Sequence, residues 1–444
     1  MQRSTKIRPT PLLLLPISLN AVSSKKKRFT GRRALPSLPK ITGCNWNQDT
    51  TFKKGRLKPD YQFQTTSTQT QSTHTMNKLT FIALLVPLLA SCGSASPNMP
   101  DRDYTRTHPA PKVFDSKRTE YTCATWTPPS PPDAESHLWY RAATLLDAKD
   151  WRMNKQEFQD MIVLYEAAAS RGHYQAINNL YLLYTHVQGS TGIMYNPLHN
   201  RARKWLHYGL DKNWAMANYW LFDALYEGNA GYRRNPQLGL AYLQKAVDLG
   251  VPLAQYELSL IYDKQFNNKK VRELLLSCAA KQGFSTAMNR LGVIYSIRGN
   301  LKESLQLMHN AVRQGGEGGG TAALSLRKVY GKSKAYMKEF ASTPADPVRE
   351  AAYTELEKAL MGTGTKSGNP FYTFPRLDEV LPLPPAKTHW KGIYSAMSKE
   401  DAAFYQNPPD TAALAADILK RGIVKKEEVY WSPRPPEPPE DHGL

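Results

Sequence analysis

The sequence predicts an all-α protein, a right-handed α-solenoid of helix-turn-helix repeats that ends in a small, proline-rich C-terminal capping domain. The first observation is a column of five alanines, each followed four residues later by a leucine. The steps between these alanines are 41, 37, 33 and 35 residues. The second observation is a turn-forming residue four positions before each alanine. The pairs are Ala176/Leu180, Ala217/Leu221, Ala254/Leu258, Ala287/Leu291 and Ala322/Leu326, and the turn residues are Gly172, Asn213, Gly250, Gly283 and Gly318.

Two further columns indicate that each repeat contains a pair of helices. An aromatic residue follows four of the alanines by eight positions, and apolar pairs three residues apart precede the turns. Spacings of three, four and eight place these residues on one face of a helix. An irregular bundle with a chance period is the alternative, and four columns in register argue against it. The aromatics are Tyr184, Tyr262, Tyr295 and Tyr330, and the apolar pairs include Leu243/Ala246, Leu276/Ala279 and Met308/Ala311.

Residues 240–262 and 274–295 resemble Sel1-like repeats. The first segment reads LAYLQKAVDLGVPLAQYELSLIY and the second reads LLLSCAAKQGFSTAMNRLGVIY. The steps Tyr242-Leu243 and Leu291-Gly292 match the family pattern. The resemblance extends over roughly 160–331, and we assign 135–331 to the solenoid. The resemblance implies stacked pairs of helices. The repeats of this chain differ in length because their loops vary, which fits Sel1-like repeats better than tetratricopeptide repeats, whose length is fixed.

Residues 76–91 have the features of a secretory signal peptide. Lys78 precedes a short apolar core, and small residues precede Cys92. The core is too short to predict a spanning helix. The ending Leu89-Ala90-Ser91-Cys92 resembles the bacterial lipobox, which implies cleavage before Cys92 and lipidation of its sulfur. With Gly93-Ser94 following, the resemblance implies an outer-membrane lipoprotein of the cell envelope, and we expect it to face the periplasm.

A signal peptide works at the N-terminus of a protein, whereas 75 residues precede this one. We therefore expect Met76 to be the true start and residues 1–75 to be a non-native or disordered leader. They hold 14 Lys and Arg against 2 Asp and Glu. Subtracting their charge of +12 and the +1 of Lys78 from the total of +20 leaves +7 for residues 92–444. That modest, dispersed charge predicts no nucleic-acid partner.

Residues 92–134 are rich in Ser, Pro and Thr and predict a tether between lipid and solenoid. Cys123 and Cys278 could pair in an oxidising periplasm. The alternative is that Cys278 is a small apolar filler of a repeat helix.

The C-terminal domain spans 332–430, and a disordered tail follows at 431–444. The sequence predicts a helix that Asp346 caps, that begins at Pro347 and that ends at Gly362. A second helix is expected at about 410–421. The domain resembles an uncharacterised one that follows Sel1-like repeats, through FPRLDEVLPLPPA at 374–386. It should cover the last repeats, burying Phe374, Leu377, Leu381 and Trp390.

No motif for catalysis, metal or cofactor binding is evident, and we predict a protein that is not an enzyme. The glycine-rich GTGTKSG at 362–368 follows a helix where a phosphate-binding loop needs a strand. The sequence GGEGGG at 315–320 is interpreted as a turn insertion. His207 and His309 are expected on solvated helix faces.

A polar and aromatic ridge on the first helices of the repeats is the predicted concave site for a protein partner. The alternative is a solvated face without a ligand. The candidate partner-binding residues are Lys204, His207, Tyr208, Gln244, Lys245 and Asn310, with Asp211, Asp248 and Arg313 on the same faces.

The combined features predict a lipid-anchored interaction protein of the envelope. Because Sel1-repeat lipoproteins include immunity proteins that neutralise secreted antibacterial enzymes, the resemblance implies such a role and a secreted effector as partner. A constitutive envelope scaffold is the alternative, followed by an enzyme that uses the C-terminal domain.

Overall fold

The computed structural model describes residues 111–149, 152–186, 197–331, 338–363 and 366–425. In these residues the regular secondary structure is helical apart from two short paired strands, and residues 111–133 contain neither helix nor strand. The helices are α1 Ala134–Asp147, α2 Lys155–Ser170, α3 Tyr174–His186, α4 Pro197–Asp211, α5 Ala215–Glu227, α6 Pro236–Asp248, α7 Pro252–Lys264, α8 Lys269–Lys281, α9 Ser285–Ile297, α10 Leu301–Gln314, α11 Gly316–Tyr330, α12 Pro347–Met361, α13 Leu377–Val380, α14 Ile393–Ala396, α15 Lys399–Gln406 and α16 Thr411–Lys420. The strands are β1 Gly362–Thr363 and β2 Lys366–Ser367, which are antiparallel, and a 3-10 turn covers Lys338–Phe340. The predicted leader, signal peptide, lipidation site Cys92 and tail 431–444 lie outside the described residues.

Five consecutive helix pairs form the predicted solenoid: α2/α3, α4/α5, α6/α7, α8/α9 and α10/α11, each packed against the next. All ten residues of the alanine and leucine columns lie in the core and are at most 4% exposed. Alanine allows the two helices of a pair to approach closely, and leucine fills the space between pairs. The all-α solenoid predicted from these columns is therefore confirmed.

Four of the five predicted turn residues have the backbone conformation that the prediction requires. Gly172, Gly250 and Gly283 have φ of 83°, 86° and 88°, and Asn213 has φ of 54°. Glycine tolerates this left-handed region because it has no Cβ, and asparagine because its short polar side chain can hydrogen-bond locally. The fifth assignment, Gly318, is wrong, because α10 ends earlier and Gly315 makes the turn with φ of 75°.

Only the first residue of the GGEGGG segment, Gly315, belongs to the turn, and the other five residues begin α11, so the segment is not a turn insertion. Its glycines let α11 approach its neighbours at backbone distance. A Cβ on Gly318 would lie 2.2 Å from the backbone nitrogen of Thr286 in α9, and one on Gly320 would lie 2.4 Å from the side chain of Met361 in α12. The missing side chains are thus a packing requirement of the last repeat.

The helix predicted after Asp346 is α12, and it covers α11. Asp346 accepts a hydrogen bond from the Arg349 backbone nitrogen at 3.0 Å, as an N-cap should. Phe374, Leu377 and Leu381 are fully buried, as predicted. Trp390 is only partly buried, and its indole nitrogen donates to Glu355 at 3.1 Å.

The C-terminal segment does more than cover the last repeat, because it also contacts the first helices. Helix α16 packs on α2 and buries Ile418. Arg141 in α1 pairs with Asp401 at 2.9 Å, and Arg421 pairs with Glu135 at 2.6 Å. Solvent screens ion pairs at the surface, whereas burial of an isoleucine contributes about 1.5–3 kcal/mol, so apolar packing dominates this contact. The two ends of the repeat array are joined.

Candidate protein-binding surfaces

The first part of the predicted ridge lies on α4. Lys204 is exposed, with its ammonium 4.4 Å from the centre of the Trp205 ring. His207 and Tyr208 are half-buried, and a His207 ring nitrogen lies 2.8 Å from the Tyr232 hydroxyl. Aromatic side chains such as Tyr208 are enriched in protein interfaces, whereas lysine is depleted there. This part of the ridge is open to a partner at Lys204.

The ridge is interrupted at α6 by the chain itself. Residues 114–126, here called the N-terminal strap, run along α6, α7 and α8. Gln244 is 7% exposed, accepts from the Asp115 backbone nitrogen at 3.0 Å and donates to the Tyr121 hydroxyl at 3.1 Å. Arg118 pairs with Asp248 at 2.7 Å. A partner could not contact Gln244 without displacing the strap.

The strap is part of the folded domain, although its sequence predicted a free tether. Its Trp126 backbone nitrogen donates to Gln282 at 3.0 Å, and its Ala124 carbonyl accepts from Gln255 at 3.1 Å. A Cβ on Gly250 would lie 2.7 Å from the backbone of Ala124 and Thr125. The prediction of a tether over 92–134 is therefore wrong for residues 114–126.

Cys123 and Cys278 form a disulfide that fixes the strap to α8. Their Cα atoms are 5.0 Å apart, and 155 positions separate them in sequence. Of the two possibilities left open by the sequence, pairing is the one observed. Cys278 is nevertheless 1% exposed, so it also fills the core as the alternative proposed.

The remaining ridge residues are dispersed. Lys245 is half-buried, with its ammonium 5.9 Å from the centre of the Tyr242 ring. Asn310 is half-buried and accepts from Gln306 at 3.3 Å. Arg313 pairs with Asp378 of the C-terminal segment at 2.6 Å. The structure therefore leaves short exposed stretches in place of one continuous ridge.

His309 is not on a solvated face, and that prediction is wrong. It is fully buried, and its ring nitrogens lie 2.7 Å from the Tyr353 hydroxyl and 2.9 Å from Asp378. The hydrogen bond from His309 is the main cause that holds the pKa of Asp378 below its usual value. This imidazole connects the last repeat to α12 and to α13.

A cavity of ≈ 410 Å³ opens between α7, α8, α9 and α11. It lies mainly on second helices of the repeats, whereas the predicted ridge lies on first helices, so the sequence-based search missed it. Val293 forms part of its wall and is 38% exposed, and Ile297 continues the same face of α9 at 68% exposed. Interaction sites are marked by large contiguous apolar patches, and Val293 and Ile297 form only a small one.

The charged residues that line this cavity are Arg272, Arg290 and Glu317, and both arginines form ion pairs with neighbouring carboxylates. Arg272 bridges Asp263 at 2.8 Å and Glu273 at 3.0 Å, and Arg290 reaches Asp263 at 3.3 Å. Arg298 donates to Glu273 at 2.6 Å, which is the main cause of a lowered pKa for that carboxyl. Glu317 at the start of α11 is the carboxylate among the residues that line the cavity.

Two buried polar atoms of the cavity-lining residues have no hydrogen-bond partner in the part of the chain that the structure describes. They are the side-chain oxygen of Asn289 and the Nε of Arg272. Asn289 is 9% exposed. Burial of a polar group without a partner costs about 1–3 kcal/mol, and neither atom exposes appreciable surface to the cavity.

Within the described ranges, no group of three or more His, Cys, Asp or Glu side chains could hold a metal ion. None of the helices described between 111 and 425 is long and apolar enough to span a bilayer.

The chain is similar in structure to immunity protein Pa5087 from Pseudomonas aeruginosa, with a TM-score of 0.45 and 27% identity over 61% of this chain and 97% of that one. Immunity protein PA5088 from the same organism gives 0.43 and 25% over 59% and 93%. A Sel1 repeat protein from Oxalobacter formigenes gives 0.33 and 20% over 50% and 87%. No model of a protein family and no curated protein sequence matches the chain.

Because these TM-scores are below 0.5, the fold assignment rests on the chain's own helices. Five helix pairs with buried alanine and leucine columns are the architecture that the resemblance to Sel1-like repeats implies. The chain is a helical-repeat protein of the kind that binds other proteins.

Proposed function

We propose that this protein is a lipid-anchored immunity protein of the cell envelope that binds and neutralises a secreted antibacterial effector. The observation that carries the proposal is the strap fixed to the repeat array by the Cys123–Cys278 disulfide. Disulfides persist in oxidising compartments, so this bond supports a location outside the cytoplasm. The strap begins 22 residues after Cys92, the expected lipid attachment site.

The joined ends of the repeat array favour an inhibitor over a loose scaffold. An open solenoid can flex along its length, whereas contacts between α16 and α2 restrict that motion here. A preorganised surface loses less conformational entropy on binding, which favours tight, stoichiometric complexes. Neutralising a toxic enzyme requires binding of that kind.

The test is a growth competition between two strains of the native organism. The recipient lacks the gene for this protein, and the attacker is the parental strain with active secretion. We expect the deletion strain to be killed on contact and to recover when the chain from Met76 is restored. Equal survival of the deletion and complemented strains would overturn the immunity role.

Anchoring is tested separately with Cys92→Ser. We expect this variant to lose labelling by a fatty-acid analogue and to leave the membrane fraction. The described fold should be unchanged, because residue 92 lies outside it. A variant that is still labelled and still sediments with membranes would contradict the lipidation site.

A further inference from the structure

We propose that a basic patch at the end of α7 docks on the anionic phospholipid headgroups of the membrane that holds the lipid anchor. This inference rests on the proposed function for that anchor, and it deepens that function by assigning the face of the fold that lies against the membrane. The patch consists of exposed side chains from two segments, residues 112–117 and residues 264–270. Its members are Lys112, Val113, Lys117, Lys264, Phe266, Lys269 and Lys270.

Contacts around Tyr262 hold the two segments of the patch together. The ring centroids of Phe114 and Phe266 are 6.3 Å apart. The Tyr262 hydroxyl donates to the Arg118 carbonyl at 2.8 Å, and the Asn268 backbone nitrogen donates to the Tyr262 carbonyl at 2.9 Å. Because Tyr262 contacts both segments, their lysines belong to one surface.

The patch is positive because its lysines lack counter-charges. Among the residues that the structure describes, none of the five lysines forms an ion pair. The flanking carboxylates of Asp248 and Asp263 are paired with Arg118 and Arg272, at 2.7 Å and 2.8 Å. Residues 111–120 and 264–270 carry six cations against two carboxylates, which leaves a net charge of +4. Anionic headgroups supply the missing counter-charge, and each lysine near such a surface adds to the attraction.

Two exposed apolar side chains lie among these lysines. Val113 is 87% exposed and Phe266 is 39% exposed. Membrane-surface segments insert such side chains into the boundary between headgroups and acyl chains, while their lysines stay at the headgroups. Protein interfaces, in contrast, are depleted of lysine. The composition of the patch therefore favours a lipid surface over a protein partner.

The connection to the lipid anchor enters the fold at this patch. Pro111 is the first described residue, and Cys92, the expected lipid attachment site, lies 19 positions earlier. A chain of that length spans at most about 65 Å when fully extended. A site tethered to its ligand binds at a high effective concentration, so a patch of modest intrinsic affinity is sufficient to orient the protein.

The surface is tested without the lipid anchor, on the mature chain 92–444 with Cys92→Ser, isolated with its disulfide intact. This chain keeps every described residue. The probes are vesicles of phosphatidylethanolamine with phosphatidylglycerol and vesicles of phosphatidylcholine alone, and the readout is co-flotation. We expect binding at least about tenfold tighter to the anionic vesicles at low salt, and loss of that binding at about 1 M salt. No binding to the anionic vesicles, or equal binding to both, would overturn the membrane face.

Two triple variants with the same change in charge separate the patch from the general positive charge of the chain. The patch variant combines Lys117→Gln, Lys269→Gln and Lys270→Gln. The control variant combines Lys391→Gln, Lys399→Gln and Lys420→Gln, three exposed lysines of the C-terminal segment. We expect the patch variant to bind anionic vesicles at least about tenfold more weakly than wild type, and the control variant to bind like wild type. Equal weakening of the two variants would refute the patch.

Insertion is measured with an environment-sensitive fluorophore on Val113→Cys. The matched control is Val348→Cys in α12, because Val348 is also an exposed aliphatic residue, at 53%, and lies outside the patch. We expect the emission at residue 113 to shift to shorter wavelength on anionic vesicles and the emission at residue 348 to stay as in water. Equal shifts at both positions, or no shift at residue 113, would contradict the proposed orientation.

The outcomes separate this inference from the proposed function. If the deletion strain survives attack, or Cys92 is not labelled, while the patch variant alone loses vesicle binding, the proposed function falls and the membrane face stands. If the mature chain binds no vesicles while labelling and protection persist, the membrane face falls alone.

Discussion

Removal of the Cys123–Cys278 disulfide should lower the free energy of unfolding by several kcal/mol. The bond closes a loop of about 155 residues, the sequence separation of the two cysteines. The chain-entropy relation then gives a stabilisation of about 5 kcal/mol, and measured values are typically about 2–4 kcal/mol. Cys123→Ala is the suitable change, because Cys123 is exposed and its truncation leaves no cavity in the core.

The assay is urea unfolding of wild type and Cys123→Ala, each with and without a thiol reductant. With a denaturant slope of about 3 kcal/mol per M, a loss of about 3 kcal/mol lowers the midpoint by about 1 M. We expect reduced wild type and both samples of Cys123→Ala to unfold at this lower urea concentration. The reasoning is refuted if Cys123→Ala unfolds with oxidised wild type, or if reductant also weakens the variant.

Three further outcomes follow from buried contacts. Gly318→Ala should destabilise the fold severely, as measured by thermal unfolding, because a Cβ there would lie 2.2 Å from backbone; a melting temperature like that of wild type would contradict this packing. His309→Leu should lower the free energy of unfolding by about 1–3 kcal/mol, because it leaves the buried Tyr353 hydroxyl without its hydrogen-bond partner. An unchanged midpoint of urea unfolding would contradict the contact. Burial lowers the pKa of His173 to about 3. The free energy of unfolding of wild type should therefore fall relative to that of His173→Gln by about 1.4 kcal/mol per pH unit as the pH drops from about 6.5 towards 3. Parallel curves of stability against pH for the two proteins would contradict the lowered pKa.

The sign of the His173 effect follows from the two states of the chain. In the unfolded state the imidazole takes up a proton near its ordinary pKa of 6.5, whereas the folded state stays neutral to about 3. Acid therefore favours unfolding over this interval. Burial raises the pKa of Glu257 to about 7, which has the opposite slope between about 4.5 and 7. The difference between wild type and variant isolates the histidine.

Local features of the fold were predictable because their causes are local. The alanine and leucine columns are set by helical periodicity, and Asp346 acts on a backbone nitrogen three residues away. The wrong prediction of a turn at Gly318 also arises from reasoning over a short local spacing. A constant offset from Ala322 cannot reveal that α10 ends at Gln314 and that the following glycines start α11.

Long-range contacts could not be predicted from periodicity. Helical periodicity predicts a solvated face for His309, because the residue that covers it, Asp378, lies 69 positions away in the sequence. The strap was interpreted as a tether because its neighbourhood is rich in proline and serine. A signal was present, since Phe114, Tyr121 and Trp126 are apolar residues that a solvated tether does not need.

The sequence predicted the type of candidate site, a surface for a protein partner, but not its position on the helices. Repeats implied a binding surface, and the ridge on first helices was inferred from residues next to core positions. Gln244 is covered by the strap, and the cavity around Asn289 lies on the other helices. Its signal in the sequence, alternating charges such as Asp263, Arg272 and Glu273, is common on solvated helices and therefore does not specify a cavity.

The most direct test of the central claim is to crosslink the tagged protein, produced from Met76, in its own cell envelope and to identify the captured proteins by mass spectrometry. The account predicts one tightly bound, stoichiometric partner with the domain of a secreted antibacterial enzyme. A broad set of resident envelope proteins, or enzymes of cell-wall synthesis, would contradict the immunity role and indicate a scaffold.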